Sequence, residues 1–325
     1  MNIPARTGLL LLAVFGSALN ASVAVAQQYP TRPLRMITPS PPGGAVDFLS
    51  RAVGQKLAEG LGVSVIVDNR AGASAVIGSD LLAKSAPDGH TLMLGYSTHA
   101  TNPMFIKKLP YDSVKDFAGV AMVGYIPLLL VVHPAVPATS VKELIALAKA
   151  KPGQLQFAAG AAGGGPSMAG QMFNYLAGVD VVRVPYKGNA PALIDLLGGR
   201  VTMMFDTIAT SLVHAKTGRL RMLAVTSTQR SSLTPEMPTM AEAGLPGFDV
   251  RAWFAVMVPA RTPRDIVAKL NAVIVKAMQD PEFRSRLANE GVEVVGGTPE
   301  QTDAFIRNEM NRWRKVITAA GMTAD

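Results

Sequence analysis

At Leu34-Arg35-Met36-Ile37-Thr38-Pro39-Ser40-Pro41-Pro42-Gly43-Gly44-Ala45-Val46-Asp47 a short apolar strand, a turn of three prolines and two glycines, and the first turn of a helix follow one another without a break. Proline fixes φ and stiffens such a turn, while glycine leaves its backbone open to a ligand. The helix expected from Ala45 to Leu61 aims its positive dipole end into the same space, which suits a negatively charged group. The stretch holds neither Gly-Lys-Ser/Thr nor Gly-x-Gly-x-x-Gly, so the P-loop and dinucleotide readings fail. What remains is an anion site without a nucleotide signature, to be weighed against an ordinary βα loop.

The same grammar recurs downstream. Leu155-Gln156-Phe157-Ala158 reads as a strand, Ala159 to Pro166 as a glycine-rich turn, and Ser167 to Ala177 as a helix. Between the two units come a β-branched strand, Val63 to Asp68, a helix, Ala75 to Ser85, and a strand, Thr91 to Gly95, that opens into a polar loop from Tyr96 to Pro103. After the second unit come strands at Val181 to Val184 and Val201 to Asp206 with a helix, Pro191 to Leu197, between them. Strand and helix alternate, which predicts an α/β protein with a largely parallel sheet. Ligands bind such sheets beyond the carboxyl ends of the strands, where Ser40, Gly43, Ser97 and Thr98 fall.

Two long apolar stretches, Val120 to Val132 and Val250 to Val258, carry the chain from one half to the other and back, and they predict a hinge near Tyr125 to Leu130 and Val250 to Phe254. Ser140 to Glu143 is a capping box. Thr262-Pro263-Arg264-Asp265 and Thr298-Pro299-Glu300-Gln301 each combine a Thr cap with Pro at the first helical position, so two further helices are expected to pack back on the first half.

The chain begins with a single charge, Arg6, an apolar run from Leu9 to Leu19 and small residues at Ala24-Val25-Ala26, which is a secretory signal peptide cleaved after Ala26. The run is shorter than the ~20 residues a membrane span needs. The mature protein is therefore expected to be exported to the periplasm. With no cysteine in the sequence, thiol catalysis and zinc–thiolate sites are excluded. The four histidines, His90, His99, His133 and His214, lack metal-ligand spacing, and no cofactor is expected. A formal net charge of +8 makes nucleic acid the first partner to test. Its basic residues are scattered and aromatics make up only 6%, so no nucleic-acid face is read, and the excess charge serves instead to concentrate small anions.

Eight motifs, in order, then carry a resemblance over essentially the whole mature chain: Pro41 to Asp47, Val67-Asp68-Asn69-Arg70-Ala71-Gly72-Ala73, Ala86-Pro87-Asp88-Gly89, Leu109-Pro110-Tyr111-Asp112, Val184-Pro185-Tyr186-Lys187-Gly188, Asp195 to Gly199, Met204-Phe205-Asp206 and Ala241 to Gly247. The sequence resembles the periplasmic solute-binding receptors of tripartite tricarboxylate transporters, the Bug family. That resemblance implies a type II periplasmic-binding fold with two lobes, a central ligand cleft and a hinge. The expected lobes are residues 27–127 with a return segment 252–325, and residues 128–251. It also implies a small organic carboxylate held between two facing turns, delivered to membrane transporter subunits or a sensor protein by a receptor that is expected to be a monomer. The ligand-binding set is Ser40, Pro42, Gly43, Gly44, Asp47, Ser97, Thr98, Ala159, Gly160, Gly163, Ser167 and Asp206. The family usually offers hydroxyls and a histidine on the second turn, where this chain has Ala159, Gly160 and Ser167.

Several of these residues admit a second role. Asp47 either stiffens the glycine turn or touches the ligand, and the first is favoured. Ser97 and Thr98 read equally as helix caps. Asp206, if buried, needs a partner: water, a backbone N–H or a cationic ligand group. His99 near the rim reads as structural. The competing enzyme reading is a secreted α/β hydrolase, for which Gly165-Pro166-Ser167-Met168-Ala169 is a loose nucleophile elbow followed in order by Asp206 and His214. A proline before Ser167 speaks against it, and no catalytic residue is expected.

Overall fold

The computed structural model describes residues 29–322 apart from Ala161 and Ala320. The signal-peptide reading at Met1 to Ala26 lies outside the described residues. β1 (Leu34–Thr38) feeds the proline-rich turn and α1 (Ala45–Leu61), and β2 (Val65–Asn69) returns. A 3-10 turn at Ala73–Ala75 opens α2 (Val76–Ala83), followed by β3 (Thr91–Tyr96) and α3 (Thr98–Phe105). β1 pairs parallel with β2, Leu34 opposite Val65, and with β3, Met36 opposite Leu92.

β4 (Phe117–Val132) and α4 (Val141–Ala150) lead to the second unit: β5 (Gln156–Ala159), α5 (Gly165–Ala177), β6 (Val182–Pro185), α6 (Asn189–Leu197) and β7 (Met203–Thr207). β5 pairs parallel with β6 and β7. α7 (Ile208–Lys216), β8 (Arg221–Val225), β9 (Arg251–Pro259), α8 (Arg264–Gln279), α9 (Pro281–Asn289), β10 (Glu293–Gly296) and α10 (Pro299–Ala319) complete the chain. From Arg32 onward it forms one unit around one continuous sheet, β2-β1-β3-β9-β4-β7-β5-β6, with β8 and β10 added on β4.

The expectation of a largely parallel sheet holds only at the two ends. β9 runs antiparallel to β3 and β4, and β4 antiparallel to β7, β8 and β10, because these two long strands carry the chain across and back. The first part of β4 pairs with β9 as far as Pro127 opposite Arg251, and from Leu128, opposite Thr207, it pairs with β7 and β8.

Separate hydrophobic clusters lie along this crossing, and two of them concern the site. One gathers Ile37, Met93, Phe117, Trp253 and Ala255, and the other gathers Leu128, Leu130, Phe157, Phe173 and Phe205. α8 packs on α1, and Lys56 of α1 meets Asp280 at 3.1 Å. α10 departs from the expectation for the C-terminal helices. Its Ile306 and Met310 join the first core while Trp313 and Ile317 join the second.

Of the expected caps, Thr298 forms its box in full, its Oγ1 accepting from Gln301 N–H at 3.2 Å while Gln301 Oε1 accepts from Thr298 N–H at 2.9 Å. Ser140 Oγ accepts from Glu143 N–H at 3.2 Å, and Glu143 reaches one residue further back, to Thr139 N–H at 2.6 Å. Thr262 does not cap α8: its hydroxyl donates to the Pro259 carbonyl at 2.7 Å. The polar stretch after β3 is a helix, α3, despite Pro103 inside it.

Candidate functional site

The turn after β1 is built by its glycines. Gly43 adopts φ +86°, a left-handed conformation that glycine takes without strain, and Gly44 is extended and caps α1 with no side-chain hydrogen bond. A Cβ at Gly43 or Gly44 would meet no atom within 4 Å, so the turn stands open. Pro42, Gly43 and Gly44 are exposed and Ser40 is half-buried, its carbonyl accepting from Asn69 Nδ2 at 3.1 Å. The first N–H groups of α1 thus reach the surface uncapped, with the helix dipole behind them.

Asp47 braces this turn. Its carboxylate accepts from Gly43 N–H at 3.1 Å, from Asn69 Nδ2 at 2.9 Å and from Arg51 Nε and Nη2 at 3.1 and 3.0 Å. Burial by itself would raise its pKa, but the hydrogen bonds from Arg51, Asn69 and Gly43, with the charge of Arg51, outweigh that and hold it below the usual value. Both oxygens are engaged by the protein, which fits the stiffening role.

Ser97 and Thr98 are buried at the end of β3. Neither acts as the expected cap. Ser97 is already helical at φ −45°, and its Oγ accepts instead from Trp253 N–H of β9 at 3.3 Å. The Thr98 hydroxyl makes no hydrogen bond of good geometry. His99 is structural: Nε2 lies 2.9 Å from the Ser113 carbonyl, its ring meets Phe117 edge-on at 4.7 Å, and burial lowers its pKa to about 4.

In the second turn, Ala159 is buried at the end of β5, opposite Pro185 of β6. The half-buried Gly160 carbonyl accepts from Arg183 Nη1 at 2.8 Å. The Gly163 carbonyl accepts from Thr101 Oγ1 of α3 at 2.8 Å, and a Cβ on Gly163 would lie 2.1 Å from that same oxygen. Gly164 caps α5 with no side-chain hydrogen bond, and the buried Ser167 hydroxyl in the first turn of α5 has no partner among the described residues. Gly165 lies against the crossing strands, where a Cβ would come within 3.3 Å of Ala252 and 3.6 Å of Leu128.

Asp206 is buried at the end of β7, where desolvation raises its pKa against the pull of its hydrogen bonds. Its oxygens accept from Asn189 Nδ2 at 3.3 Å and Ser211 Oγ at 3.0 Å, with Thr207 N–H and the Thr210 hydroxyl adding to these. The partner that its burial demands is thus the protein itself. The hydrolase reading loses its geometry here, since Ser167 has no base at hydrogen-bond distance and the Asp206 partners do not include His214.

The second turn therefore meets Thr101, Leu128 and Ala252, while Gly43 and Gly44 face open space. Sequence reasoning missed Asn69, Thr101, Arg183 and Asn189. Arg51 carried a signal, standing at i+4 from Asp47 on one helix face.

Over residues 49–322 the sequence matches the family described as tripartite tricarboxylate transporter family receptor. Protein BugT of Bordetella pertussis is 41% identical over 317 residues, which cover 96% of this chain and 97% of that protein. Rpa4515 of R. palustris, solved with adipate, is similar at a TM-score of 0.86 and 35% identity, covering 91% of this chain and 100% of that one. MatC from Rhodopseudomonas palustris, solved with bound malate, is similar at a TM-score of 0.80 and 32% identity, covering 89% and 100%.

Proposed function

The chain belongs to the tripartite tricarboxylate transporter receptor family, and from that premise we propose that it captures a small organic carboxylate between the Ser40 to Asp47 turn and the Ala159 to Ser167 turn. Receptors of this family bind solutes, and two similar proteins hold adipate and malate. The observation that carries the reading is a pair of uncapped helix N-termini, α1 after β1 and α5 after β5, with the buried Ser167 hydroxyl unpartnered beside the second. Such ends stabilise a carboxylate through backbone N–H groups and dipole together. Ser40, Pro42, Gly43, Gly44, Thr98, Gly160 and Ser167 are the proposed ligand wall, while Asp47, Ser97, Ala159, Gly163 and Asp206 hold that wall in place.

The proposed lobes are residues 27–127 with 252–325, and residues 128–251. The change of strand partner between Pro127 and Leu128 supports that division, with α10 shared between the two. Ligand closes the lobes only insofar as it binds the closed form better than the open one. The closed monomer is then read by a membrane transporter or a sensor protein in the periplasm.

The test uses protein exported by its host, whose intact mass should place the mature start at Gln27. A carboxylate at about 100 times its dissociation constant should stabilise the fold by roughly 2.7 kcal/mol, and the matching diamide far less. Ala45→Asp places a charge in the first turn of α1, where it complements the dipole by about 0.3 to 1 kcal/mol yet competes with the ligand. The variant should melt no lower than wild type and lose the ligand shift. Equal shifts with acid and amide, or a full shift in Ala45→Asp, would refute the site.

A further inference from the structure

We propose that the turn Ala73–Ala75 is a spring, loaded through α3 while Thr101 holds Gly163 and released when that contact parts, so that it hastens opening and the escape of the ligand. The inference rests on the two-lobe carboxylate reading above. Ala73, Ser74 and Ala75 take φ +46°, +54° and +74° in succession, three left-handed residues with no glycine among them. The left-handed form crowds Cβ against the following carbonyl oxygen, and each residue held in it gives up roughly tenfold in its own conformational equilibrium. Such backbone persists only where its surroundings impose it.

The surroundings do so here from two sides. On one, α2 is seated against the proline-rich turn: a Cβ on Gly78 would lie 2.7 Å from Pro39 Cβ and 3.1 Å from the Arg70 carbonyl oxygen. On the other, the buried Asn102 of α3 donates from Nδ2 to the Ser74 carbonyl at 2.8 Å. Its neighbour Thr101 donates to the Gly163 carbonyl at 2.8 Å. α3 therefore holds the strained turn with one residue and the facing turn with the one before it. The two lie on one short rigid element, so a shift of α3 that frees Gly163 also moves Asn102 against Ser74. α3 resists such a shift weakly, being eight residues long with Pro103 inside it, which takes away one backbone hydrogen bond. Once Asn102 lets go, the turn has lost the bond that imposes its left-handed form, and the parted arrangement is the less strained of the two.

Glycine takes the left-handed form without strain, so Ala73→Gly and Ser74→Gly unload the spring while keeping the backbone carbonyl that Asn102 holds. Neither residue belongs to the proposed ligand wall, and Ala73 is exposed. The probe is whichever of succinate, malate and adipate binds wild type best, with affinity measured by calorimetry and release by stopped-flow displacement. Each glycine variant should bind about three- to tenfold more tightly and release correspondingly more slowly. Without ligand, each should be more compact than wild type in small-angle X-ray scattering. Asn102→Ala cuts the link, and in that background Ala73→Gly should lose its effect. The inference falls if both glycine variants bind, release and scatter as wild type does. It falls equally if only Ser74→Gly has an effect, which would assign the effect to the hydroxyl, or if Ala73→Gly acts undiminished beside Asn102→Ala. Should Asn102→Ala not fold, the two glycine variants decide. If none of the acids binds wild type, it is the carboxylate reading that has failed, and the scattering of the ligand-free variants still decides whether the turn is a spring.

Discussion

On the proposed function a carboxylate beside the α1 turn would repel the ligand, so Asp47 needs a compensating role. Holding Gly43 N–H and Asn69 Nδ2 while paired with Arg51, it fixes the turn and has its charge offset at once. Arg51 is 54% exposed, so the ion pair itself contributes little, and the hydrogen bonds are the larger effect. Because the folded pKa is depressed, this stabilisation is fully present above the unfolded value near 3.9 and is lost as pH falls through the folded value. Asp47→Asn should therefore cost about 1 to 3 kcal/mol at pH 7 in urea denaturation, with the gap to wild type narrowing below pH ~4. The same gap at pH 7 and pH 3 would mean that the charge of Asp47 does not brace the turn.

Helices and strands were legible in the sequence where local chemistry decides them, and illegible where a neighbour does. The Thr298 and Ser140 boxes, the strand–glycine turn–helix units and the crossing strands could be read because each carries its own capping, turn or apolar signal. β10, four residues long, is a strand only because Glu293 to Gly296 pair with β4, and no local signal announces that. In the same way the Ser40, Gly43 and Gly44 turn could be read, whereas Asn69, Thr101 and Asn189 enter through contacts 22, 62 and 17 residues away along the chain. α10 was readable as a helix but not as a bridge between two cores. At the bridge, Trp313 Nε1 donates to Glu309 Oε2 at 3.0 Å and Arg312 Nη1 to Glu309 Oε1 at 3.0 Å, which satisfies a buried carboxylate. Trp313→Phe keeps an aromatic ring between the cores but removes one donor, and should cost about 1 to 3 kcal/mol in chemical denaturation. In a Glu309→Gln background the same change should cost less. An equal cost in both backgrounds would assign Trp313 to packing alone.

The whole molecule turns on how the two parallel ends of the sheet approach each other across β4 and β9. A hydrogen bond joins them directly: Gly163, from the turn after β5, gives its carbonyl to Thr101 of α3, which follows β3. Glycine is required for it, since a Cβ there would stand 2.1 Å from Thr101 Oγ1 and 2.9 Å from Thr101 Cβ. Those distances are too short to be absorbed in place, so Gly163→Ala must push the turn away from α3. On the proposed two-lobe reading, pushing them apart would disfavour closure while leaving the groups of the proposed ligand wall in place. Each 1.4 kcal/mol moved from closed to open weakens apparent affinity about tenfold, because ligand must then also supply the closing free energy. Gly163→Ala should therefore bind its best carboxylate at least about tenfold more weakly. In small-angle X-ray scattering the variant should also be more expanded than wild type at equal ligand concentration. Adding Thr101→Ala removes the worse of the two overlaps and should recover part of the affinity. If Gly163→Ala binds as wild type does and scatters identically, the contact between Thr101 and Gly163 is no part of closure, and the hinge lies elsewhere than across β4 and β9.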